Sequence, residues 1–399
     1  MISEETLRIV INENSLVKNN NSTIKRDYDI PLEANTIIVV SGVRRCGKST
    51  LLKTELQNVK DKISLNFEDT RLDGFEISDF LKIEKIANSL GTKCLVFDEI
   101  QNIAGWEKYV RSAHDKGFRI YITGSNASML SRELGTKLTG RYKQTELYPF
   151  NYNEFLLYTG KAEGEQSLRD FLQSGGFPEF LANLDTEYLR TLLRDIVIRD
   201  IAVRRNIKND HMILRLALNL LSNVGKQISF NNIAKMLEIK SVRSVIDYCN
   251  YLKESYLFDF IPRFSFSIKQ QMNNPKKVYC IDSGMARANS LSFSEDFGRM
   301  LENAIFIRLR QFSPDILYFN DHQSECDFLV RKNERIVYAL QVCWHLSEEN
   351  LQREIFGLKS AMKATGTTTG IIVTFNQEDT FGEIKAIPAW KWFQSEVVL

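Results

Sequence analysis

Nine consecutive residues, Gly42-Val43-Arg44-Arg45-Cys46-Gly47-Lys48-Ser49-Thr50, restrict what this chain can fold into more than any other stretch of its sequence. They fit G-x-x-x-x-G-K-[ST] and follow Ile37–Val40, an apolar run of the kind that a strand buried on both faces requires. A helix-forming segment, Ser49–Leu56, comes next. Strand, glycine loop and helix in that order predict a cradle for nucleotide phosphates. Backbone N–H groups from Gly42 through Thr50 wrap the phosphates, and the helix N-terminus favours their charge. Lys48 is expected to reach the β- and γ-phosphates and Ser49 to ligate Mg²⁺, so ATP and Mg²⁺ are the cofactors predicted.

Further apolar runs at Ile63–Phe67, Cys94–Phe97, Ile120–Thr123 and Thr145–Tyr148, separated by helical stretches, predict an α/β fold with a parallel, doubly wound sheet. The run from Cys94 ends in the paired carboxylates Asp98 and Glu99. Asp98 is expected to hold the Mg²⁺ shell through water, and Glu99 to orient and deprotonate the attacking water. The next strand ends in Thr123-Gly-Ser125-Asn126, small polar side chains in reach of the γ-phosphate and the water; Ser125 and Asn126 are equal candidates. Residues 1–30 are polar and read as a lead-in arm with one short helix.

From Asn151 to about Ile207 the apolar spacing is helical, with one break at Ser174–Pro178. Residues 213–290 read as short helices and a hairpin, with Ser229–Leu237, a turn at Glu238–Lys240 and Ser241–Leu252 spaced as a helix-turn-helix. The whole chain balances 52 Lys and Arg against 50 Asp and Glu, so a polyanion site must be local. Residues 216–290 hold ten basic and five acidic side chains, an excess of five. Lys240, Arg243 and Arg263 are the candidates for a DNA backbone; a lid or dimer surface with solvated charges is the alternative. Near Ser292 a further unit begins, with a helix at Phe297–Phe312, strands at Ile316–Phe319, Cys326–Val330 and Ile336–Val342, a helix at Glu348–Ala364 and a strand at Gly370–Phe375. Six scattered cysteines without a CxxC pair, beside four histidines, argue against a zinc cage or disulfide framework. The thiols are expected to be reduced and buried. No apolar run of about 18 residues occurs, and the polar, acidic start differs from a signal peptide, so the expected location is cytoplasmic, without a membrane.

The segments GVRRCGKST, FDEIQNIAGWEKYVRSAHD, YITGSNASMLSRELGTKLTGRY, LYPFNYNEFL and GGFPEFL together resemble a family of prokaryotic AAA-type P-loop ATPases. That family carries a winged helix and a C-terminal restriction-endonuclease-like domain of unknown role, and the likeness runs from about residue 30 onward. The resemblance implies a γ-phosphate arginine at Arg141 of the LTGR segment, acting within the chain or across a subunit boundary. It also implies that Pro178, in Gly175-Gly-Phe-Pro178, lies against the adenine ring. A surface ion pair for Arg141 and a plain helix break at Pro178 are the alternatives. The last unit resembles the PD-(D/E)XK nuclease fold through Glu302, Asp327 and Gln341, but Cys343 stands where active members have a lysine. By strand periodicity His345 shares a face with Gln341 and Cys343, and it or Lys359 is the candidate substitute.

The organisation expected is an ATPase domain over 1–165, a helical lid over 166–212, a winged-helix-like module over 213–290 and a small α/β nuclease-like domain over 291–399. The function expected is Mg²⁺-dependent ATP hydrolysis that drives a conformational change in the C-terminal half, with DNA cleavage lost. An ATP-gated endonuclease and a slow-turnover switch that touches no DNA are the rivals. ATP, weak non-specific DNA binding and self-association make up the expected partners.

Overall fold

A computed structural model describes residues 1–16, 23–32, 35–125, 140–291 and 296–395. The chain divides into two compact units, residues 1–148 with 254–256, and residues 149–253 with 257–399.

In the first unit the elements run α1 (Glu4–Leu16), β1 (Ile37–Ser41), α2 (Lys48–Glu55), β2 (Ile63–Asn66), α3 (Phe80–Leu90), β3 (Cys94–Asp98), α4 (Trp106–Asp115), β4 (Arg119–Gly124) and β5 (Tyr142–Glu146). All neighbours in the five-stranded sheet are parallel, in the order β2-β3-β4-β1-β5. Strand β4 thus separates β1 from β3, and the segments that follow these three strands share one edge of the sheet. The apolar runs form the sheet interior because Ile37, Val39, Leu95, Phe97 and Ile122 are fully buried.

Two expectations change here. The N-terminal stretch carries a thirteen-residue helix that belongs to the core, since Leu7, Val10 and Ile11 pack into the same apolar cluster as the sheet. Their i, i+3, i+4 spacing was present but was masked by the polar residues around it. The fifth strand is Tyr142–Glu146 and not Thr145–Tyr148, because it is an edge strand of half-exposed residues that apolar content does not reveal.

The second unit begins with helices at Tyr152–Thr159, Glu165–Ser174, Pro178–Asn183 and Thr186–Asp195, the last continuing as a π-helix over Ile196–Val203. A helix at Asp210–Leu221 leads to β6 (Gln227–Ile228), helices at Phe230–Met236 and Val242–Glu254, then β7 (Phe258–Pro262) and β8 (Lys276–Cys280). These three strands form an antiparallel sheet in the order β6-β8-β7. After a helix at Phe297–Phe312 comes a six-stranded sheet, β13-β14-β12-β11-β10-β9, built from β9 (Ile316–Asn320), β10 (Glu325–Lys332), β11 (Arg335–Cys343), β12 (Gly370–Thr374), β13 (Asp379–Phe381) and β14 (Ile384–Pro388). The helix Leu351–Thr365 joins β11 to β12.

Strand β11 ends at Cys343, so His345 does not continue the face of Gln341 and Cys343; it is exposed beyond the strand, as Lys359 is on its helix. The basic excess of residues 216–290 is also partly internal. Lys277 is buried, and Lys253 pairs with Asp259 at 2.7 Å, whereas Lys240 and Arg243 are exposed. Among the described residues no helix is long and apolar enough to cross a membrane. All six cysteines are free and buried.

Candidate nucleotide site

The loop between β1 and α2 takes its shape from its glycines. Gly42 has φ 149°, and a Cβ there would collide with the Leu147 carbonyl oxygen, so the approach of the two backbones requires glycine. Gly47, with φ 102°, starts α2 from the left-handed region. Val43 and Cys46 are buried beneath the loop, so their backbone, and not their side chains, faces a ligand. The Cys46 thiol contacts Leu147 O at 3.4 Å, and burial raises its pKa. Arg44 pairs with Glu68 at 2.7 Å, and Arg45 and Thr50 are exposed.

Lys48, the first residue of α2, is buried and donates from Nζ to the carbonyls of Gly42 and Val43 at 3.3 and 3.1 Å. The same Nζ lies 3.5 Å from Glu99 Oε1. Ser49 Oγ donates to Asp98 Oδ1 at 2.8 Å, and Thr123 Oγ1 donates to that same oxygen. Burial raises the Asp98 carboxyl above its usual range, against the lowering effect of these two hydroxyls. Glu99 is anchored at both ends. Its N–H donates to Thr123 Oγ1 at 2.9 Å, and its Oε2 accepts from Gln101 Nε2 and from Ser125 Oγ, the latter at 3.3 Å.

The order of the sheet explains this convergence. Because β4 lies between β1 and β3, its Thr123 and Ser125 reach the carboxylates at the end of β3 on one side while α2 lies on the other. Arg45 and Glu99 have φ of 66° and 51°, left-handed conformations that cost non-glycine residues roughly 1 kcal/mol or more and that gather at functional sites.

Gln101 and Arg26 had no recognised signal in the sequence, and Thr123, read there as a polar residue at a strand end, has partners that the sequence did not announce. Thr123 ties Asp98 to the backbone of Glu99, and Gln101 holds the Glu99 carboxylate. Arg26, from the polar segment before β1, is 6% exposed and donates to Cys46 O at 3.1 Å and Tyr148 O at 2.7 Å, closing the loop from behind. Arginine among charged neighbours marks nothing by itself; only its burial sets it apart.

The remaining expected site residues are Asn126, Arg141 and Pro178. Asn126 falls outside the described residues. Arg141 immediately precedes β5, whose first residue, Tyr142, pairs with Ile37 at the start of β1. It therefore sits at the opposite end of the parallel strands from the glycine loop, and its side chain pairs with Asp115. Pro178 opens a helix in the second unit, where the turn before it is held by Gly176 N–H donating to Asp282 Oδ2 at 2.6 Å.

The residues present fit a nucleotide with Mg²⁺. Ser49 Oγ and Asp98 Oδ1 offer neighbouring oxygens of the hard type that Mg²⁺ takes, on a half-buried carboxyl held by hydroxyls. Residues 34–156 match the model of an AAA domain, and residues 165–296 match that of a domain of unknown function (DUF8612). The uncharacterized protein MJ1544 of Methanocaldococcus jannaschii is 35% identical over 96% of this chain and 94% of its own length. An uncharacterized protein of Haemophilus influenzae is 31% identical over 79% of this chain and 84% of its own length.

Proposed function

The chain belongs to one family with the Methanocaldococcus jannaschii protein and carries an AAA-type P-loop region, and from this premise we propose that it binds ATP with Mg²⁺ and hydrolyses it at the loop between β1 and α2. The observation that carries the reading is the meeting of Lys48, Ser49, Asp98 and Glu99 within hydrogen-bond or ion-pair distance at one end of the parallel sheet. Lys48 Nζ exchanges the carbonyls of Gly42 and Val43 for phosphate oxygens. Ser49 and Asp98 would hold Mg²⁺, which when bound would neutralise charge that develops on the phosphates. Glu99, fixed by Gln101 and Ser125, orients a water and accepts its proton. Thr123 keeps the carboxylate of Asp98 and the backbone of Glu99 in register.

Turnover drives a conformational change in the second unit, whose helices and three-stranded sheet over 210–280 we read as a winged helix on a degenerate nuclease-like fold. The order β6-β8-β7 with a helix-turn-helix between β6 and β7 supports that reading. Exposed Lys240 and Arg243 support weak, sequence-independent DNA binding. Arg141, beside the start of β1 and so at the far end of that strand from the glycine loop, is read as acting on a neighbouring copy. Nucleotide binding and phosphate release by wild type and Lys48→Ala test the core of the proposal: Lys48→Ala is expected to lose both, and unchanged ATP affinity in a folded variant contradicts the site.

A further inference from the structure

In the second unit a buried lysine sits where three carboxylates meet. Lys277 Nζ, on β8, lies 2.7 Å from Asp327 Oδ1, 2.9 Å from Glu325 Oε1 and 3.1 Å from Glu302 Oε1. The Lys277 side chain is 4% exposed and that of Asp327 9%. Burial alone lowers a lysine, but the charges of Asp327 and Glu302 outweigh it and hold Lys277 well above the usual value. Two of these carboxyl groups accept further hydrogen bonds. Asp327 Oδ2 accepts from Val342 N–H at 2.9 Å, and Glu302 Oε1 accepts from Tyr279 O–H at 2.6 Å.

Lys277 and Tyr279 are two apart on β8 and point to one face, so a single strand grips Glu302 twice. Beside them Cys280 and Asn303 exchange two hydrogen bonds, Cys280 N–H to Asn303 Oδ1 at 2.8 Å and Asn303 Nδ2 to Cys280 O at 3.0 Å. The three-stranded sheet is thereby fastened to the helix Phe297–Phe312 and to β10. A desolvated ammonium among three carboxyl groups, with the buried Asp327 nearest, is a committed structural cation, because withdrawing it leaves the Asp327 carboxylate uncompensated.

We propose that Lys277 is the resident cation of this cluster: it clamps β8 to the C-terminal sheet and occupies the point at which the three carboxylates would otherwise take a divalent metal. Oxygens 2.7–3.1 Å from Nζ need to close by about 0.6–1.1 Å to reach the 2.0–2.1 Å of an Mg²⁺ site. With Lys277 in place, the cluster neither binds metal nor admits a phosphodiester.

The inference stands apart from the ATPase reading and is tested without nucleotide. The melting temperature of the full-length protein is followed with and without millimolar Mn²⁺ for wild type, Lys277→Met and Lys277→Met with Asp327→Asn. Wild type is expected not to respond. Lys277→Met should melt about 10 °C lower, as expected when one partner of a buried ion pair is removed, and recover much of that loss with Mn²⁺. Asp327→Asn should abolish the recovery, which separates this cluster from Ser49 and Asp98. An Asp327-dependent Mn²⁺ response in wild type, an undiminished melting temperature in Lys277→Met, or a Lys277→Met protein, folded or not, that Mn²⁺ fails to stabilise would overturn the proposal.

Discussion

Lys48 and Lys277 are both 4% exposed and both stand beside acids, yet their acceptors differ in kind. Lys48 is held by two backbone carbonyls and one carboxylate at 3.5 Å, in a loop kept open by glycine. Lys277 is held by three carboxylates, all within 3.1 Å. Neutral acceptors can be exchanged for phosphate oxygens at small cost, whereas charged acceptors in a desolvated pocket cannot be left without a counter-ion. Burial of a lysine beside acids therefore marks a reactive site only when its partners are replaceable.

Unfolding by urea should expose this difference first. Lys277→Met is expected to cost about 3–5 kcal/mol, as for breaking a buried pair, and Lys48→Met less, since Lys48 faces one carboxylate at 3.5 Å where Lys277 faces three within 3.1 Å. Equal losses would erase the distinction. The next effect concerns pH. Burial pushes the Glu302 carboxyl up to about 7, against the lowering influence of Lys277. The folded state then holds this proton more tightly than the unfolded chain does. The resulting stability is complete below the unfolded value of about 4.5 and is lost as pH rises through about 7. Stability of the second unit should fall by roughly 1–3 kcal/mol from about pH 5 to pH 8, and Glu302→Gln should flatten that fall. A slope unchanged in Glu302→Gln would assign the dependence to another group.

The smallest stability effect is expected at Arg141. Its pair with Asp115 is solvent-accessible, so Arg141→Ala should cost less than about 1 kcal/mol. Its value lies in a mixing experiment: if Arg141 serves a neighbouring copy, Arg141→Ala and Lys48→Ala proteins should recover ATPase activity together. No recovery in a mixture shown to co-assemble makes Arg141 a surface residue.

These contrasts also explain what the sequence revealed. Gly42, Lys48 and Ser49 are legible because the phosphate loop is a local motif, and Asp98 and Glu99 because they end an apolar strand. Thr123 enters the site through the insertion of β4 between β1 and β3, a relation of topology that no spacing along the chain announces. Lys276 and Lys277 are adjacent and alike in sequence, but the pleat of β8 turns Lys277 with Tyr279 toward Glu302 while Lys276 bonds Gln271 O at 2.9 Å. Counting both lysines as surface charge overstated the basic face of residues 216–290. Lys277 stands on β8, outside the six-stranded sheet that carries Cys343, so no periodicity along that sheet announces it.

The central claim is that the first unit carries out ATP hydrolysis with Glu99 acting on water and Lys48 on phosphate. Nucleotide affinity and steady-state phosphate release of Glu99→Gln, measured on one preparation, test it most directly. A residue that acts only in the transition state should leave ATP affinity near that of wild type while lowering turnover by about 10²–10⁴-fold. Loss of ATP binding equal to that of Lys48→Ala, or turnover at the wild-type rate, would contradict it.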